Sequence, residues 1–79
     1  MSRHNPKIAE DFIRKMEEVM DGQEQEVLNV VNDTIRIIEK DVSYNTSEKL
    51  KLYARLSSLC NCEPNERAKW ASKAARSLK

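Results

Sequence analysis

A single glycine, Gly22, serves the whole 79-residue chain, and that restricts how it can fold back on itself. Tight β-hairpins need residues that tolerate positive φ at their turns, and a sandwich or barrel needs many such turns. One glycine and two prolines, Pro6 and Pro64, supply almost none. Helices joined by short connections ask only for a cap and a break at each junction. The length allows one domain with one core. No apolar run approaches the ~18 residues of a membrane span, and no apolar stretch follows the N-terminus as a secretory signal requires. Two cysteines are too few for a disulfide scaffold. The chain is therefore expected to be a cytoplasmic, soluble, all-α domain.

The apolar spacing predicts a compact bundle of four short helices, at about 6–21, 24–41, 46–60 and 64–78. Residues 1–4 are expected to form a polar arm. Asn5 caps the first helix, with Pro6 at its first position, where the missing N–H costs nothing. Ile8, Phe12, Met16 and Val19/Met20, with Ile13 alongside, form its buried stripe. Gly22 is expected to end it in a left-handed conformation. In the second helix Leu28, Val31, Ile35, Ile38 and Val42 alternate three and four residues apart, and Val27, Val30, Thr34 and Ile37 widen the arc. A helix with so broad an apolar surface is expected at the centre, touching two neighbours. Asn45-Thr46-Ser47-Glu48 is an asparagine form of the capping box and opens the third helix. Leu52, Leu56 and Leu59 lie on one of its edges, with Leu50, Tyr53 and Cys60 on the adjoining one. Pro64 starts the fourth helix, whose predicted stripe is Ala68, Ala71, Ala75 and Leu78. Small core residues make a thin core, so association with a partner or a second copy is expected to add stability.

The net charge of +1 is the sum of unlike halves. Residues 1–48 carry six Lys/Arg and eleven Asp/Glu; residues 49–79 carry eight and two. Either the halves pair their surface charges within one bundle, or the chain presents a polarised surface to an acidic partner, to nucleic acid or to another copy.

Catalytic and metal chemistry find little footing. Cys60-x-Cys62 lacks the further ligands a zinc site needs, and a disulfide across two residues would be strained. Cys60 reads as a small buried hydrophobe and Cys62 as a free thiol. His4 has no nucleophile beside it in sequence, and Ser57, Ser58 and Ser72 lack a strand–turn–helix elbow. The acidic pairs Glu10/Asp11, Glu17/Glu18 and Glu24/Glu26 read as solvated helix faces. One glycine rules out a phosphate loop. No enzymatic activity, cofactor or small-molecule substrate is expected.

The basic second half is the candidate surface. Lys69, Lys73 and Arg76 lie one turn apart on the fourth helix, flanked by Arg67 and Trp70, and Lys51 and Arg55 are spaced by four on the third. Trp and Arg are the commonest interface anchors. These seven residues are expected to bind a protein partner, as in a regulator or inhibitor docking on a larger protein. Nucleic acid is the alternative, with cations on phosphates and Trp70 stacking. A helix-turn-helix is compatible with Asn65, Glu66, Arg67 and Lys69 opening a reading helix. A membrane partner is not expected, because the apolar face of the fourth helix is mostly alanine.

Overall fold

The structure, a computed structural model, describes residues 4–79. It is an all-α bundle of four helices: α1 (Pro6–Val19), α2 (Glu24–Lys40), α3 (Thr46–Asn61) and α4 (Arg67–Leu78), with one 3₁₀ turn (Pro64–Glu66) leading into α4. Among the described residues there is no strand, and no helix is long and apolar enough to cross a membrane. The molecule measures 36 × 20 × 18 Å.

Consecutive helices pack together and α4 closes the ring against α1. As expected, α2 touches two neighbours, α1 and α3. Centrality is not its alone, since α4 likewise packs on α1 and α3. The core runs from Phe12 and Met16 through Val27, Val31 and Ile38 to Leu52, Leu56, Leu59 and Leu78.

The local capping signals act as the sequence indicates. The Asn5 side chain accepts from the Lys7 N–H at 3.0 Å. Asn45 Oδ1 accepts from the Glu48 N–H at 2.8 Å, while Glu48 Oε1 accepts from the Asn45 N–H at 3.0 Å, completing the capping box. Ile8, Phe12 and Met16 are buried along α1, with Ile13, Val19 and Met20 half-buried.

Several expectations are corrected. No residue among those described has positive φ, so Gly22 does not end α1 in a left-handed conformation. The helix stops at Val19, and the Gly22 N–H turns back to the Val19 carbonyl at 2.8 Å. The stripe of α2 is Val27, Val30, Val31, Thr34 and Ile38, with Ile35 half-buried; Leu28, Ile37 and Val42 leave it. Val42 is 99% exposed because Asp41 breaks to φ −87°, ψ 120°, beyond which helical periodicity no longer applies. Leu28 and Ile37 sit at the outer margins of the arc. Thr34 is tolerated inside because its hydroxyl donates to the Val30 carbonyl at 2.9 Å. Leu50 is exposed, because two residues before Leu52 is more than half a turn round the helix, on the side away from the face that Leu52 and Leu56 define. On α4 the stripe is Arg67, Ala71, Ala74, Ala75 and Leu78, and Ala68 is exposed. The 3₁₀ turn delays the α-helix to Arg67, and that residue takes the inward position one place before Ala68.

Candidate interaction face

The facing sides of α3 and α4 carry six of the seven expected binding residues. Lys51, Lys69, Lys73 and Arg76 are exposed, while Arg55 and Trp70 are half-buried. Two shallow depressions meet at Arg55 and Trp70. One, of about 330 Å³, is lined by Lys51, Ala54, Arg55, Ser58 and Trp70. The other, of about 420 Å³, is lined by Arg55, Trp70, Lys73, Arg76 and Ser77. Neither lining contains a carboxylate.

The local architecture explains this arrangement. Ala71, Ala74 and Ala75 turn inward and let α4 approach its neighbours closely, which leaves long side chains at the seam to stand outward. Trp70 packs on the core edge. Its ring also carries two ammonium groups, Lys73 Nζ at 4.6 Å and Lys69 Nζ at 5.4 Å from the centroid. Such contacts are favourable through the ring quadrupole, and they cover an aromatic face. Arg55 bridges the helices by donating to Ser77 Oγ at 2.6 Å, which fixes its guanidinium at the junction of the two depressions.

Arg67 does not belong to this face. It is 6% exposed, and its guanidinium donates to the carbonyls of Met20 at 2.9 Å and Gly22 at 2.7 Å. The main-chain acceptors left free where α1 ends claim it, so the expected partner-binding role is replaced by a structural one. A reading helix that uses Arg67 is lost with it.

Among the described residues no direct ion pair joins the two halves of the chain. Among the described residues the ion pairs are Arg14–Asp11 and Arg36–Asp33, and with the His4–Glu48 contact they all lie within the acidic half. Lys51, Arg55, Lys69, Lys73 and Arg76 pair with no carboxylate among those residues.

A second cluster had no signal in the sequence. His4, expected in a loose arm, stacks on Tyr44 with ring centroids 3.9 Å apart and planes 14° from parallel. Its Nδ1 lies 3.0 Å from Ser43 Oγ and its Nε2 2.8 Å from Glu48 Oε2. Both ring nitrogens are thereby engaged, and the side chain is 8% exposed. The rest of the predicted arm, residues 1–3, lies outside the described residues. The Tyr44 hydroxyl donates to the Leu78 carbonyl at 2.6 Å, so this turn ties His4 to the end of α4. Burial, then the nearby charges of Asp41 and Glu48, push the Tyr44 hydroxyl up to about 12. The Asn45 N–H and then His4 hold Glu48 below its ordinary value; the Ser43 hydroxyl and N–H do the same for Asp41. Partners 39 and 44 residues apart explain why local patterns missed His4.

Cys60 and Cys62 are free thiols. Burial, and then the neighbouring Cys62, push Cys60 up; burial and then Glu66 push Cys62 up. Both shifts disfavour the reactive thiolate. No known protein family, curated protein or solved structure matches the chain.

Proposed function

We propose that the protein is a small non-enzymatic docking module of the cytoplasm, whose α3–α4 face binds an acidic surface on a larger protein and regulates it by occupancy. The observation that carries this reading is a half-buried Trp70 surrounded by cations that have no carboxylate partner among the described residues. An acidic surface would satisfy those charges, and Trp70 with the fixed Arg55 would give the contact a rigid centre.

Two observations favour protein over nucleic acid. The ammonium groups of Lys69 and Lys73 lie over the Trp70 ring, where a stacking base would have to displace one. Arg67, needed at the start of a reading helix, is buried. The test is affinity capture from extract with the wild-type chain and a Trp70→Ala, Lys73→Glu, Arg76→Glu variant, with helicity checked by circular dichroism. A partner retained by the wild type, lost by the folded variant and indifferent to nuclease supports the reading. Retention by the variant removes the face, and loss on nuclease treatment transfers the face to nucleic acid.

A further inference from the structure

The basic depressions have an acidic counterpart on the same molecule, at one end of the bundle. Arg67, through its bonds to Met20 and Gly22, draws the start of α4 against the α1–α2 turn. The start of α2 in turn lies beside the end of α3, where Glu24 and Leu28 share a depression with Cys60 and Asn61. Both turns at this end are therefore close together. They carry Asp21, Glu24 and Glu26 from the first turn and Glu63 and Glu66 from the second, all exposed. None pairs with a cation among the described residues. The N-termini of α2 and α4 point to this end and contribute roughly half a positive charge each; with the Arg67 guanidinium held in the same turn, they offset only part of five carboxylates.

Spatial polarity thus differs from the division along the chain. Glu63 and Glu66 belong to the basic half in sequence but join the acidic end in space. The opposing charges sit on separate surfaces, so one copy cannot bring its own two patches together, whereas two copies can. A net charge of +1 adds almost no overall repulsion between copies.

We infer that a second copy of this chain occupies the α3–α4 face, with the acidic end of one molecule, at Asp21, Glu24 and Glu63, seated against Arg55, Lys73 and Arg76 of the next. This rests on the reading of that face as a docking surface and names one of its occupants. The contact joins two different surfaces, so it is head-to-tail and leaves a free acidic end and a free basic face on every assembly that does not close into a ring. Self-association then competes with an outside acidic partner for the same cations.

Sedimentation velocity over a range of concentrations tests this at about 0.02 M and about 0.5 M salt, conditions of weak and strong screening. The expected result is a mass that rises with concentration at low salt, with association weakened at least roughly tenfold at high salt. Lys73→Glu with Arg76→Glu reverses the basic face, and Asp21→Lys with Glu63→Lys reverses the acidic end. All four positions are exposed, so both variants should fold. Each alone should remain monomeric, and an equimolar mixture should recover association, because the two reversed surfaces complement each other and so do the two unreversed ones. A wild type that stays monomeric at high concentration and low salt overturns the inference. So does association that neither variant weakens, or a mixture that stays monomeric. A glutamate-rich peptide separates the two readings: if it binds the wild type and the chain stays monomeric, self-pairing fails while the docking face stands. If it does not bind either, the face itself fails.

Discussion

The guanidinium of Arg67 meets the Met20 and Gly22 carbonyls, main-chain acceptors that the end of α1 leaves without helical partners. Removing a charged donor from such a site typically costs about 1.5–3 kcal/mol. Arg67→Met should therefore lower unfolding stability by about 2 kcal/mol in urea denaturation, and Arg67→Lys should recover only part, since an ammonium lacks the planar fork. Gly22 behaves differently. Its backbone has ordinary φ, and an added methyl would meet chiefly the mobile end of the Glu26 side chain. Gly22→Ala should leave stability within about 1 kcal/mol of wild type, because the reduced freedom of the unfolded chain offsets the crowding. A larger loss would mean that the turn requires a glycine conformation. Tyr44 gives a pH signature. Its hydroxyl ionises at about 12 in the fold against 10.0 unperturbed, so the neutral form is favoured when folded. The stability this confers is complete below pH 10 and is lost as pH rises from about 10 to 12. Glu48 and Asp41 have the opposite sign. Both are depressed, so their contribution is present above the unfolded values of 4.5 and 3.8 and is lost as pH falls through the lower folded ones. Denaturation curves against pH should fall at both ends, and Tyr44→Phe should flatten the alkaline limb relative to wild type.

At the scale of the helices, packing depends on which alanines turn inward. Ala74 is fully buried between α4 and its neighbours, whereas Ala68 is exposed. Ala74→Leu should cost about 1–3 kcal/mol by overpacking, and Ala68→Leu should be nearly silent in the same thermal melts. The reverse result would restore the stripe that simple periodicity predicts. What could be read from the sequence was what neighbours in the chain decide. The Asn45–Glu48 box, the Asn5–Pro6 start and the Ile8–Phe12–Met16 stripe all rest on groups within a turn or two of each other. Arg67 and His4 were misread because their partners lie more than 35 residues away. No periodicity reports a side chain claimed by a distant carbonyl. Leu28 and Val42 failed for a simpler reason: a helical stripe has edges and ends, and spacing alone does not mark them. The basic face was more legible, since the i, i+4 spacing of Lys69 and Lys73 and of Lys51 and Arg55 survives in the fold. Its acidic counterpart was not, because it is assembled from two turns that only tertiary structure brings together.

For the whole molecule, charge is distributed without cancelling. The bundle closes its core with small residues on α4, joins His4 to the end of α4 through Tyr44, and leaves cations on α3–α4 without acidic partners among the described residues. Exposed charges generally add little to stability, and it is on these cations that the proposed docking rests. The chain contains one tryptophan, Trp70, and it sits where the two basic depressions meet. Its fluorescence therefore reports directly on occupancy of the face. Titration of the protein with a glutamate-rich peptide at low salt should give a saturable change in Trp70 emission. That change should vanish in Lys73→Glu, Arg76→Glu protein and weaken steeply as salt is raised. An emission that stays constant through the titration, or a change that the double variant reproduces, would contradict the assignment of α3–α4 as the docking face.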